Sequence, residues 1–325
     1  VDNFYHCHLL SFLIMPAFTA SAPGKVILFG EHAVVYGQPA IAVPVQDVQA
    51  KAIIQARPGG DGISLIAPDI SLHNKLKDLP LDDAIGLTIR LTLDELRVSE
   101  PPGATLILTS TIPFAAGLGS GAAVSVAIIR AVSGFLGHPL PDEKVSELAF
   151  EVEKLHHGTP SGIDNTVVTF RKPVYFVKGK PIRLLEIKLP FMLVIGDTGI
   201  KCPTVITVGD VRKSYEANPG LYETYFDMCN RIAGKAVFSI SDKRNAALGP
   251  LMNDNHQVLQ QMNVSSPELD KLVETARQAG ALGAKLSGGG RGGNMIALVE
   301  PTTAEPVAAA LREAGAVNTI ITTVR

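Results

Sequence analysis

Apolar positions along the chain fall into two kinds of run. Residues 26–29, 48–55, 63–66 and 104–111 are short and rich in branched side chains, with partial alternation in the second, and these features predict strands. Residues 83–98 carry apolar side chains at helical spacing, and residues 120–136 combine small and branched apolar residues as a buried helix does. Residues 142–155 place Val145, Leu148, Ala149 and Val152 on one face, which predicts an amphipathic helix.

Clustered basic residues around 178–190, with three prolines between Pro173 and Pro190, mark a boundary. A second module opens with a strand at 192–197 and continues through several helices. The best-signed of these is 267–279, with Ser266 as N-cap, Pro267 at the first helical position and Gly280 after the end. A strand at 295–299, a helix at 304–314 and a strand at 317–323 complete it. The expected class is α+β with mixed sheets, divided into an N-terminal extension (1–14), a first domain (15–185) and a second (186–325).

Composition narrows the partners. The 325 residues are 46% hydrophobic and 18% charged, enough for one large or two medium cores. A net charge of -2 from 29 basic and 31 acidic residues gives no footprint for nucleic acid or an anionic membrane, so the expected partner is a small molecule. Cys7, Cys202 and Cys229 are far apart and suggest neither disulfides nor a zinc site, which fits a reducing cytoplasm. Residues 122–136 are interrupted by Arg130 and Gly134 and fall short of the roughly 20 apolar residues of a membrane span. Residues 9–22 have an apolar core followed by small residues, as a secretory signal does. No Lys or Arg precedes them, and cleavage after Ala20 or Ala22 would cut against residues 23–25, so a cytoplasmic chain is expected; Met15 is a candidate natural start, with residues 1–14 as an upstream extension.

Four glycine-bearing stretches carry the candidate chemistry. At PFAAGLGSGAA (113–123) a strand ending near Thr111 runs into a loop with Gly117 and Gly119, and a helix starts near Ser120. Glycines admit a ligand to the backbone, and a helix start offers unpaired N–H groups at the positive end of its dipole, so this is a phosphate site or a close-packing helix start. It matches neither GxxxxGK[ST] nor GxGxxG. In SAPGKVILFGEHAVVYG (21–37) Lys25, Glu31 and His32 flank an apolar strand, as in a pocket wall or an edge strand with solvated ends. In EKLHHGTPSGIDN (153–165) a loop presents Asp164, which could also cap a following helix. Glu153 and His156 have the ExxH spacing of di-iron bundles, but no second copy exists. SGGGRGGN (287–294) has strand-like residues on both sides and reads as a backbone nest rather than a linker.

Together these segments resemble the GHMP kinase superfamily, whose three motifs occur in this order. Residues 23–37 and 157–165 are similar to its mevalonate kinase family. The resemblance implies a ribosomal S5 domain 2-like N-terminal domain, a ferredoxin-like C-terminal domain, and ATP-dependent phosphorylation of the mevalonate C5 hydroxyl in isoprenoid precursor synthesis. It implies that Pro113, Ala116, Gly117, Leu118, Gly119, Ser120 and Gly121 bind ATP, and that Ser120 and Glu153 hold Mg2+. It implies that Glu31, His32, Thr204, Gly288 and Gly289 border the acceptor. Asp164 matches the residue beside the acceptor hydroxyl, as base or orienting charge, and Lys25 its cationic partner. Gly121 replaces a usual serine, and Arg291 and Asn294 replace a glycine and commonly a cysteine. Arg291 is thus a candidate phosphate contact, the alternative being an ion pair with a surface carboxylate. A sister kinase acting on another hydroxyl, or a non-catalytic sensor of ATP and a small ligand, stays open, as does a homodimer.

Overall fold

The computed structural model describes residues 17–113, 117–157 (backbone only at 156 and 157) and 160–325. The N-terminal extension, Met15, Ala116 and the side chain of His156 lie outside the described residues. In the first half the chain forms β1 (Ala17–Phe29), β2 (Ala40–Asp61), β3 (Ile63–Ala67), β4 (Leu72–Lys75), α1 (Ala84–Glu95), β5 (Pro102–Ser110), α2 (Ser120–Phe135), α3 (Asp142–His157), α4 (Ile163–Phe170), β6 (Val174–Phe176) and β7 (Arg183–Leu184). The second half follows with β8 (Phe191–Asp197), α5 (Thr204–Ala217), α6 (Pro219–Ser241), α7 (Leu248–Gln261), α8 (Pro267–Gln278), β9 (Gly283–Ser287), β10 (Asn294–Val299), α9 (Ala304–Glu313) and β11 (Asn318–Val324).

The first sheet runs β4-β3-β5-β2-β6-β7, with β1 paired to β2. Its pairings are antiparallel except β3 with β5. Helix α2 lies against β1 and β2 and touches α1, α3 and α4, which is why its apolar and small residues, Ala122 to Ile129 among them, are buried nearly all round. The second sheet is antiparallel in the order β11-β8-β10-β9. A hairpin, β9–β10, thus sits beside β8, with the last strand on β8's other side, the ferredoxin-like order.

β1 begins well before residue 26, because Ala17 to Pro23 pair with residues 49–55 although small residues hide the alternation. A register shift at Pro23/Gly24 then turns Lys25 to Phe29 onto residues 41–44. Helix α4 is seated by a small apolar cluster of Ile27, Val34, Ala40, Ala42, Ile163, Val167, Val174 and Phe176. A larger cluster joins the halves, from Leu28, Phe29 and Ile128 to Leu193, Leu286 and Ile296. Ser266 accepts from the Leu269 N–H and Pro267 occupies the first turn of α8, the cap read from sequence. Among the described residues, no helix is long and apolar enough to cross a membrane.

Candidate active site

A cleft of about 1660 Å³ opens between the two halves. One wall is the start of α2. Gly119 takes a left-handed φ of 72° as its N-cap and no side chain caps the helix, so its first N–H groups are available to an anion. Gly117, Gly119, Ser120 and Gly121 line the cleft. Leu118 is buried instead, and its carbonyl accepts the Lys25 N–H at 2.9 Å, fixing the loop to β1. Pro113 precedes the loop and is not among the described residues lining the cleft.

The buried half of β1 aims Lys25 into the cleft, where its ammonium lies 3.1 Å from an Asp164 carboxylate oxygen. Lys25 is 6% exposed. Asp164 stands in the first turn of α4. It does not cap that helix: Gly162 is the N-cap, and the side chain that reaches the first turn is Ser161, whose Oγ accepts the Ile163 N–H at 3.3 Å. Glu153, from α3, lines the same region at 8% exposure. Burial, then the Asp164 charge, pushes its carboxyl up to about 7, against the opposing pull of Lys25.

A buried carboxylate so raised, a nearby hydroxyl and a second carboxylate suit a hard cation. The described residues hold no cluster of three or more acidic, His or Cys side chains able to cage a metal. They fit Mg2+ in the manner in which it is commonly bound, through one or two carboxylates and substrate phosphates.

The opposite wall begins where β1 ends. Gly30 has a φ of 95°, and His32 a strained φ of 59° ahead of a 3-10 turn, Ala33–Tyr36. Glu31 and His32 are 3% and 5% exposed and line the cleft. His32 Nε2–H donates to the Gly289 carbonyl at 2.9 Å, a tautomer assigned from that acceptor, leaving Nδ1 as a lone-pair acceptor. Burial first lowers its pKa to about 4, so the ring is neutral at physiological pH. Glu31 is ion-paired to the fully buried Lys285. Its pKa is raised by burial, with Lys285 pulling it down.

Residues 288–293 form the loop of the β9–β10 hairpin, held at its ends by the pairing of Ser287 with Asn294. Gly290 has a φ of 79°, and a Cβ there would lie 1.9 Å from the Val264 carbonyl oxygen. A Cβ at Gly289 would lie 2.9 Å from Thr204 Oγ1, so the loop abuts the first residue of α5. Gly288, Gly289 and Thr204 line the cleft. Arg291 is not among the described residues that do. Its guanidinium is bonded to Asp210 on α5 and to the Asn263 carbonyl, and its own N–H to the Val264 carbonyl. Of the two alternatives read for it, the guanidinium makes the ion pair with a surface carboxylate.

Sequence reasoning missed Lys285 and Ser287. The signal was a lysine and a serine two residues apart in an otherwise small and apolar strand, Gly283–Ser287, which puts both on one face. Nothing local names their partners on β1 and the turn after it, about 250 positions upstream.

Comparisons with known proteins agree with this architecture. Residues 84–172 match the family model described as GHMP kinases N terminal domain, and residues 235–317 the one described as GHMP kinases C terminal. The mevalonate kinase of Pyrococcus furiosus is 39% identical over 314 residues, 91% of this chain and 93% of that protein. Among solved structures, L. major mevalonate kinase in complex with R-mevalonate superposes with a TM-score of 0.85 at 30% identity, covering 96% of this chain and 97% of that one. The Methanococcus jannaschii mevalonate kinase superposes with a TM-score of 0.82 at 28% identity, covering 95% and 98%. Identity and fold run together over nearly the whole length, and the chain belongs to the GHMP kinases, within their mevalonate kinase family.

Proposed function

We propose that this protein transfers the terminal phosphoryl group of ATP to the C5 hydroxyl of mevalonate. The observation that carries the reading is the Lys25–Asp164 pair, set between the open N-terminus of α2 and the pocket of Glu31 and His32. Phosphoryl transfer asks a protein chiefly to align the nucleophile and stabilise charge on the moving group. The N–H groups of α2 would take the phosphates, and Lys25 would lie beside the oxygen atoms in transit. Asp164 would orient the acceptor hydroxyl or accept its proton. The neutral His32 and the unpaired oxygen of Glu31 would receive the polar groups of the acceptor. Ser120 and Glu153 would hold Mg2+, which when bound neutralises phosphate charge.

A coupled ADP-release assay with mevalonate, phosphomevalonate, galactose and homoserine tests the reading, with location of the new phosphate on the product. Mevalonate should be the acceptor that turns over. Asp164→Asn should cost about 10²-fold or more in kcat, the range for a positioned acid–base group. Full activity in that variant would remove Asp164 from the chemistry, and a preferred acceptor other than mevalonate would point to a sister kinase. Binding without turnover would point to a sensor.

A further inference from the structure

We propose that Lys285 is a positioning residue for the acceptor half of the cleft, holding Glu31 by one carboxylate oxygen so that the other is left to accept from the substrate. The inference rests on the reading of this cleft as a mevalonate kinase site and adds a residue to it.

β9 alternates, so Lys285 and Ser287 share the face turned to the N-terminal half. Ser287 Oγ donates to the Ile27 carbonyl at 2.8 Å and accepts the Ile27 N–H at 3.1 Å. Lys285 Nζ reaches Glu31 Oε1 and donates to the Leu286 carbonyl at 2.6 Å. The lysine is 0% exposed and is not among the described residues lining the cleft, so it acts through Glu31 and touches no ligand itself. Glu31 does line the cleft, and its Oε2 is buried with no hydrogen-bond partner among the described residues. An orphaned carboxylate oxygen in such a place is costly unless a donor arrives.

Stability alone is a poor reason for the arrangement. A buried ion pair is commonly matched or bettered by apolar residues of similar volume, because desolvation offsets the attraction. What the pair supplies is direction. With Oε1 tied to Lys285 and the adjacent His32 tied to Gly289, the turn after β1 leaves one carboxylate oxygen and one ring nitrogen, both buried, without a hydrogen-bond partner among the described residues. A hydroxyl-bearing acceptor would meet both at once.

The test is a double-mutant cycle of Lys285→Met, Glu31→Gln and the two combined, read as separate KM values for mevalonate and ATP, kcat, and melting temperature. Lys285→Met should raise the mevalonate KM by about ten-fold or more, equivalent to one lost directed hydrogen bond, with the ATP KM moved by no more than about two-fold. Added to Glu31→Gln, the same change should raise the mevalonate KM no further, since its route is already cut. An unmoved mevalonate KM in Lys285→Met, or the same increment in both backgrounds, overturns the proposal, and a lower melting temperature alone marks a purely structural pair. Should Lys285→Met not fold, Lys285→Arg keeps the charge on a different geometry. A raised mevalonate KM with an unmoved ATP KM then supports the role, and an unmoved mevalonate KM overturns it. The wild type, run alongside, separates the two readings: failure to phosphorylate mevalonate there overturns the assignment of the cleft, whereas normal turnover with unmoved variants overturns only Lys285.

Discussion

Glu153 shows what the site costs at a single residue. Burial and the Asp164 charge lift its carboxyl from an ordinary 4.5 to about 7. Between those values the folded chain keeps a proton that the unfolded chain has released, so stability falls as the pH climbs. The contribution is fully present below 4.5 and is lost as the pH rises through about 7, a total of order 3 kcal/mol. Glu153→Gln removes that titration. Without nucleotide or metal, the variant should outlast the wild type in thermal unfolding at about pH 8 and lose the advantage at about pH 5. Its turnover should fall, because an amide is a poorer ligand than a carboxylate for a hard cation. A stability difference that is the same at both pH values would show that the carboxyl is not the source of the slope.

At the scale of elements, the start of α2 separates two glycines that look alike in the sequence. Gly119 is left-handed, and a Cβ there would come within 2.8 Å of Lys25 Cγ, so Gly119→Ala strains the cap and displaces the side chain that faces Asp164. Gly121 lies inside the helix, and the nearest atom to an added Cβ is a Glu153 oxygen at 3.9 Å. Gly119→Ala should therefore lower both melting temperature and kcat. Gly121→Ala should leave the ATP KM within about two-fold and raise stability by about 0.5–1 kcal/mol, the helical preference for alanine. Equal damage from both would show that the loop, not the cap, sets the site. The same region marks how far the sequence could be read. α2, α3 and α8 were legible because each carries a helical pattern or a capping signal over three or more turns. The strands Leu72–Lys75, Val174–Phe176 and Arg183–Leu184 were not, and the short α4 was read only as a helix that Asp164 could cap, since two to eight residues carry too little pattern and tertiary pairing decides them. Lys25, Asp164 and Glu153 were legible from their motifs. Lys285 was not, because the carboxylate that explains it is 254 residues away.

Across the whole molecule, the cleft has a stitched floor. Among the ties that cross it are the Lys285–Glu31 pair, the His32 bond to the Gly289 carbonyl, and the two bonds of Ser287 to the Ile27 backbone. All three fall between the end of β1 with the turn after it and the single segment 285–289, so the Lys25 strand and the glycine loop are held in register by one short seam. Ser287→Ala removes two of these bonds and leaves the other ties and the hydrophobic cluster shared by the halves in place. The loss should cost about 1–3 kcal/mol for the buried backbone groups deprived of a partner. Because the seam couples its two sides, the cost should appear on both. Amide hydrogen exchange should quicken in residues 25–29 and in residues 287–294 together, while β3 and β11 keep wild-type protection. Faster exchange in the glycine loop alone would mean that β1 is held by its own sheet, and that the two walls of the site are positioned independently. Joint exposure would mean that the acceptor wall and the Lys25 strand move as one body, so that an acceptor gripping Glu31 and His32 also steadies the lysine opposite Asp164.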